Sequence, residues 1–253
     1  MKITFLGTGT SQGIPLIACK CDVCTSSNPK DKRLRVSVLI ETEGKTFVID
    51  AGPDFRQQML RENVSELDAI IFTHEHMDHI AGLDDTKAFN FILSKHVDIY
   101  ATKRVQKAIR RVYSYIFEGL NYPGIPKVIM HTIDNNTFSI EGVKFTPVEV
   151  MHYKLPVLGF RIGDFTYITD ANHISEKEKE KIKGSKVIVL NALRKEKHIS
   201  HFTLDEAVKL ITELNPERAY LIHISHQLGL HDKISEELPD FIELAYDGLK
   251  III

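Results

Sequence analysis

The stretch "FTHEHMDHIAGLDD", residues 72–85, sets His74, His76, Asp78 and His79 directly behind the apolar run "AIIF". That run has the character of a strand in an α/β fold, and the C-terminal ends of such strands are where these folds gather ligands. Four ligand-type side chains fall within six residues. Neutral imidazoles with a carboxylate suit zinc, manganese or iron, and alternating positions at a strand-to-helix turn can direct two side chains to one metal and two to its neighbour. A polar helix start is the plainer alternative, but a cap needs one acceptor and leaves three histidines unexplained.

Outward from this motif, short β-branched runs alternate with helical patterns. "KITFL", "SVLIET", "KTFVID", "VKFTPVEV", "VLGFRI", "FTYITD", "VIVLN", "AYLIHIS" and "LKIII" have strand character. A helix is expected from Thr203, where Thr203 and Glu206 make a T-x-x-E capping box. A second is expected over 103–117, its apolar stripe Val105, Ile109, Val112 and Ile116 backed by a basic, solvated face. Two hairpins echo each other: "LIETEGKTFVIDAG" ends in Asp50-Ala51-Gly52 and "GFRIGDFTYITDAN" in Asp170-Ala171-Asn172. This weak repeat fits two β-rich halves packed face to face and wrapped by helices, and with no linker between them residues 1–253 are taken as a single domain.

Further ligand-type residues stand in equivalent places, each after an apolar strand: His152 behind "TPVEVM", Asp170 behind "FTYIT", and His223 in "AYLIHIS". The order H-x-H-x-D-H, then His, Asp and His, resembles the metallo-β-lactamase superfamily over the whole chain. The resemblance implies a four-layer αββα sandwich. It assigns His74, His76 and His152 to one divalent metal, Asp78, His79 and His223 to a second, and Asp170 to both. Two such cations, zinc or manganese, less Asp78, Asp170 and a bridging hydroxide leave about +1, which suits an anionic ester. By the same resemblance "HISHFTLDEA", residues 198–207, brings a histidine over the metals. His201 is the matching position and His198 the runner-up for protonating the leaving oxygen, with Asp78 counted beside His201 among the catalytic residues. Asp50 resembles the carboxylate that orients a ligand in this family.

All three cysteines, Cys19, Cys21 and Cys24, lie in "IACKCDVC". Three thiols leave one over from a disulfide and one short of a tetrahedral zinc. Within the superfamily, C-x-C-x2-C with a histidine just after the last ligand is similar to the phosphoribosyl cyclic phosphate phosphodiesterases of the carbon-phosphorus lyase pathway, which have an additional structural zinc. The resemblance implies that His226 is the fourth ligand. "FLGTGTSQGIP" resembles the family's opening strand and glycine loop; it precedes the cysteines and not a helix, so it is no dinucleotide fingerprint.

Net charge is -2 and the pI near 6.6, which gives no basic field for neutralising nucleic-acid phosphates. No apolar segment is long enough to cross a bilayer and no leader pattern opens the chain, so a cytoplasmic enzyme is expected, with no membrane partner. The expected activity is hydrolysis of a small, cyclic phosphodiester by a metal-bridging hydroxide, with a homodimer left open. A tRNA 3' processing nuclease, a thioester or lactone hydrolase, and a non-catalytic zinc-stabilised module are the alternatives. His96, His131, His173 and His231 are assigned to the surface, and Arg35 to a solvated loop. Asp84 and Asp85 are divided between capping and an outer role at the metals.

Overall fold

The computed structural model describes residues 1–119 and 123–253. Two seven-stranded sheets form its centre. The first has the order β14 (Lys250–Ile252), β1 (Lys2–Gly7), β2 (Ser37–Thr42), β3 (Lys45–Ile49), β4 (Ala69–Ile71), β5 (Val97–Ala101) and β6 (Val128–Thr132). The second has the order β13 (Ile242–Leu244), β12 (Arg218–Ile222), β11 (Val187–Asn191), β10 (Phe165–Tyr167), β9 (Leu155–Ile162), β8 (Val143–His152) and β7 (Phe138–Ile140). In each sheet an antiparallel hairpin, β2–β3 or β9–β10, leads into a parallel run, β3 to β6 or β10 to β13. The two echoing hairpins of the sequence therefore occupy matching places in the two sheets.

Alternation along the strands builds the layers. Val38, Ile40, Phe47, Ile49, Ala69 and Ile71 lie in the same cluster as Phe145, Phe160, Phe165, Tyr167, Val189 and Ile222 of the other sheet. The residues between them, Leu39, Val48 and Ile70, join an outer cluster with Phe55, Phe89 and Ile109. Likewise Ile188, Leu190 and Leu221 pack with Leu204, Ile211 and Ile234. Since each buried aliphatic or aromatic side chain contributes about 1.5–3 kcal/mol, the period-two pattern alone fixes which face of each strand turns inward. The helices are α1 (Asp22–Thr25), α2 (Phe55–Glu62), α3 (Met77–Ile80), α4 (Lys87–Leu93), α5 (Lys103–Val112), α6 (Ser114–Phe117), α7 (Glu176–Ile182), α8 (Leu204–Leu214) and α9 (His231–Ser235). With α2, α4 and α5 outside one sheet and α7 to α9 outside the other, the architecture is the αββα sandwich. Among the described residues no helix is long and apolar enough to cross a membrane.

The capping box closes as expected: Thr203 Oγ1 accepts from Glu206 N at 3.2 Å, and Glu206 Oε2 accepts from Thr203 N at 2.9 Å. The helix expected over 103–117 does not run through. It breaks at Tyr113, at φ -113° and ψ 45°, where the phenol donates to Ile80 O at 3.0 Å and fixes the chain against α3. The strand expected over "FTYITD" stops at Tyr167, and Asp170 beyond it turns into a left-handed conformation, φ +55°.

Candidate metal centre

Strands β4, β8, β10 and β12 lead at their C-terminal ends into His74, His152, Asp170 and His223, so both sheets feed one edge of the sandwich. Four residues at this edge or behind it, Asp50, Tyr153, Asp170 and His223, have positive φ without being glycine. Such conformations persist where the surroundings over-determine them. Asn191 brackets Asp170, taking Ala171 N at 2.8 Å and donating to Ala171 O at 2.9 Å. Ile224, next to His223, donates to Thr8 O at 3.0 Å and accepts from Thr10 N at 3.1 Å. Gly52 and Gly82 supply closeness instead: a Cβ on Gly52 would stand 2.0 Å from Asp78 O, and one on Gly82 2.1 Å from Gly52 O. No side chain fits there, and the motif helix α3 is thereby pressed onto the Asp50 turn.

The side chains assemble into groups whose donor atoms lie within 4.8 Å of one another: His74, His76 and His152; Asp78, His79, Asp170 and His223; and His152, Asp170 and His201. Asp170 stands in two of these groups, one of which shares His152 with the group of His74 and His76. His74 Nε2 is 3.0 Å from His76 Nδ1, His79 Nε2 is 3.2 Å from Asp78 Oδ2 and 3.3 Å from Asp170 Oδ2, and His223 Nε2 is 3.2 Å from Asp170 Oδ1. Ligands held tetrahedrally at about 2.0–2.1 Å from a metal stand about 3.3 Å apart, and these separations fit the edges of such a shell. His79 Nε2 and His223 Nε2 are buried without a hydrogen bond. Lone pairs buried this way and aimed at a common point fit a cation, and the donor set fits a pair of them.

The far sides of the rings are held. His79 Nδ1 donates to Asp50 Oδ2 at 2.7 Å, and Thr73 donates to Asp50 through its N–H at 2.9 Å and its hydroxyl at 2.8 Å. His152 Nδ1 donates to Ser200 O at 2.9 Å, and Thr73 Oγ1 is 3.0 Å from His74 Nδ1. These bonds leave Nε2 of each ring free for a metal. Burial, followed by the charge of neighbouring imidazoles, holds His74 well below the ordinary imidazole range and lowers His76 too. Burial also opposes charge on His79 and Asp170, but there the ionic neighbours prevail: Asp78, Asp170 and Asp50 raise His79 well above its usual value, and His223 and His79 hold Asp170 well below its own.

His201 is brought to the ligand groups, its Nδ1 3.9 Å from Asp170 Oδ1 and its ring stacked at 4.7 Å on His223. Burial, and then His223, lowers its imidazole to about 2. His198 lies outside the groups, its ring centroid 5.1 Å from that of His201. At the other cluster Cys19 Sγ and Cys21 Sγ stand 3.4 and 3.3 Å from His226 Nδ1, and Cys24 Sγ accepts from Leu16 N at 3.3 Å. Cys19, Cys21, Cys24 and His226 thus form one four-donor group. The His226 contact lowers the Cys21 thiol to about 6, while burial pushes Cys24 up to about 11.

Some expectations from sequence are corrected. His231 is not at the surface: it is 5% exposed, and its Nδ1 accepts from the buried Arg33 guanidinium at 3.0 Å. Arg35 is tied to Asp54 at 3.2 Å. Asp84 pairs with Lys87 and, at 2.5 Å, Tyr115 and takes no part in the ligand groups. Thr73, Asn191 and the Ser200 carbonyl carry no motif signal, because their partners are distant in sequence.

Residues 45–224 match the beta-lactamase superfamily domain, and the chain belongs to that superfamily. It is of the PhnP type within it. A diphosphatase of the PhnP family is 40% identical, with a TM-score of 0.93 over 100% of this chain and 97% of that one. An octanoyltransferase of Porphyromonas gingivalis is 38% identical over 100% of this chain and 52% of its own length. A ribonuclease Z of Nanoarchaeum equitans is 29% identical over 62% of this chain and 45% of its own. The chain spans about half the length of the curated relatives it matches.

Proposed function

We propose that this chain is a metal-dependent phosphodiesterase acting on a small phosphodiester, with cyclic esters of the phosphoribosyl 1,2-cyclic phosphate type as its substrates. The observation that carries the reading is the convergence of the His74, His76 and His152 group with the Asp78, His79, Asp170 and His223 group, linked by a third group in which His152 and Asp170 stand with His201. His74, His76 and His152 would hold one cation, Asp78, His79 and His223 the other, with Asp170 facing both. When bound, two divalent cations, zinc or manganese, supply Lewis acidity and make a nucleophile of water at neutral pH. Asp50 and the Ser200 carbonyl keep the ligand rings oriented through the reaction. His201, beside Asp170, is neutral in the free protein; the negative charge of a bound phosphodiester, added to that of Asp170, would favour its imidazolium and place it to deliver a proton to the departing alkoxide. The Cys19, Cys21, Cys24 and His226 group would hold a separate structural zinc, since four donors of this kind close a tetrahedron and leave no position for substrate.

The likeness to a PhnP-family diphosphatase supports phosphorus chemistry. The ribonuclease Z relatives share less of the chain, and the net charge of -2 gives a poor surface for RNA. Acyl transfer through a thiol has no support, because all three cysteines face His226 or one another's loop. A turnover screen on metal-replete protein, with bis-p-nitrophenyl phosphate, cyclic nucleotides, a tRNA precursor, thioesters and lactones, separates these readings. Phosphodiester cleavage that is lost on mild chelation and restored by divalent metal, with circular dichroism unchanged throughout, is the expected result. Full activity in rigorously metal-free protein would sink it.

A further inference from the structure

Exposed apolar side chains stand close in sequence to residues of the metal centre. Met77, between His76 and Asp78, is 52% exposed; Tyr153, next to His152, is 49% exposed; Ile199, two positions before His201, is 64% exposed. Three separate segments, the first turn of α3, the turn between β8 and β9 and the segment before α8, thus each present a large apolar group near a ligand-group residue in the sequence. The Tyr153 and Ile199 segments are tied together, since Asn172 Oδ1 accepts from Tyr153 N at 2.8 Å and its Nδ2 donates to Ile199 O at 3.2 Å.

Tyr153 is unusual in a second way. Its φ is +57°, and among the described residues it is the only phenylalanine or tyrosine in the left-handed region. Glycine or asparagine would take this turn with less strain, and packing does not call for the ring, half of which faces solvent. Nearby guanidinium groups are already engaged. Arg104 is held by Glu75 at 3.0 Å and Arg194 by Gln227 at 2.6 Å, while Lys154 Nζ lies over the Tyr153 ring at 5.3 Å. A second phosphate would meet the Lys154 ammonium here, with both of these guanidiniums already held. A flat, polarizable group would meet an aromatic face, a thioether and an aliphatic wall.

We propose that Met77, Tyr153 and Ile199 form a subsite for a heteroaromatic ring carried on one alcohol of the diester, as in a nucleoside ester. The inference rests on the phosphodiesterase reading above. A diester held by its phosphoryl group at the metals has two arms: one leaves past His201, and the other lies across this rim. Stacking of a base on an aromatic side chain is sequence-tolerant and corresponds to about 5- to 150-fold in affinity.

Two comparisons test it. The p-nitrophenyl ester of thymidine 5'-monophosphate and methyl p-nitrophenyl phosphate share a leaving group and differ in the retained arm. The wild-type protein should prefer the nucleoside ester by about tenfold or more in kcat/KM, mainly through KM. Tyr153→Asn, which suits the left-handed turn, should bring that ratio near one. Tyr153→Phe should keep it, as should the remote control Leu60→Ser on α2. The second comparison does not depend on turnover. By calorimetry on metal-loaded protein, adenosine monophosphate should bind about tenfold tighter than ribose 5-phosphate, with the difference lost in Tyr153→Asn. Equal affinities in the wild type, or a preference unchanged in Tyr153→Asn, overturn the subsite. Turnover of neither ester counts against the hydrolase reading alone, and the binding comparison still decides the rim.

Discussion

Asp50 Oδ2 receives two donors at once, the Thr73 hydroxyl at 2.8 Å and His79 Nδ1 at 2.7 Å, inside a fully buried turn. Such a carboxylate is legible in sequence only through the hairpin echo that ends in Asp50 and Asp170, and its partner Thr73 is legible not at all, because nothing local marks a hydroxyl that bonds 23 residues back. His201 was the position that the family resemblance matched, with His198 as the runner-up. In the fold His201 stands in a ligand group and stacks on His223, while His198 lies outside those groups. We therefore expect His201→Ala to slow a diester with a poor alkoxide leaving group by about 10²- to 10⁴-fold, and a p-nitrophenyl ester far less, since nitrophenolate departs without a proton. Equal losses on both esters would remove His201 from proton delivery, and the same asymmetry in His198→Ala instead would move the role there. His231 shows the limit of residue-level reading: a histidine in "LGLHDK" has surface character, yet burial, and then the Arg33 charge, lowers its imidazole to about 4. Arg33 Nη2 donates to Nδ1, which requires the neutral ring. The unfolded chain, near 6.5, binds more protons than the fold between about pH 4 and 6.5, so this site loses stability as pH falls through that window. Asp247, pushed up to about 6 by burial, contributes the opposite slope and is common to both proteins in a comparison. His231→Asn should therefore show a smaller fall in melting temperature between pH 7 and pH 4 than the wild type. Parallel curves would mean that His231 does not titrate with unfolding.

Among the elements, those with two clear faces were legible and those at the margins were not. Strands β2, β3 and β11 alternate between the inter-sheet core and the helix layers, and every residue of β11 is buried. By contrast β6 is an edge strand with no buried residue, and β7 and β13 have three residues each, too few for a period to emerge. The helix at 103–117 carried a continuous stripe, but the Tyr113 phenol bonding to Ile80 O overrides it, a tertiary contact that local propensity does not contain. The capping box of α8 lies at the opposite extreme, since both of its bonds are written in four consecutive residues. Thr203→Ala should cost about 0.5–2 kcal/mol by leaving a first-turn N–H unpaired. At this chain length that is a fall of several degrees in melting temperature, about 2–4 °C per kcal/mol. Thr203→Ser should restore most of it. A Thr203→Ala protein as stable as the wild type would show that packing of Leu204 and Ile211 holds the helix without its cap.

Over the whole molecule, contacts between the ends of the chain were the hardest to foresee. The loop at Thr8–Thr10 pairs with Ile224, and the cysteine loop meets His226, so a single short segment links the two candidate metal sites. Residue type and local spacing marked the 74–79 motif and the three cysteines, while the grouping of the distant ligands and His226 came from the family resemblance. The sequence did not supply the geometry that couples the two sites, which arises when β1 and β12 bring residues some two hundred positions apart together. His223 and His226 should accordingly fail in different ways although three residues separate them. His223 Nε2 lies 3.2 Å from Asp170 Oδ1 in a buried site, so His223→Ala should cut turnover severely by loosening one active-site cation, while a zinc held by Cys19, Cys21 and Cys24 stays. His226→Ala should release or weaken that zinc and lower the melting temperature, because a structural site contributes its binding free energy to folding. Its effect on turnover should be smaller and indirect, through the Ile224 contacts that hold His223 at φ +54°. Cys21→Ser should reproduce the His226→Ala behaviour, since loss of any one of four donors opens the same tetrahedron. Zinc content, melting temperature and turnover, measured side by side for the three variants, decide it. If His226→Ala keeps a tightly held zinc and its full stability, the cysteine group closes on some other ligand, and the 3.3 Å approach of His226 to Cys21 is only a contact between neighbouring loops.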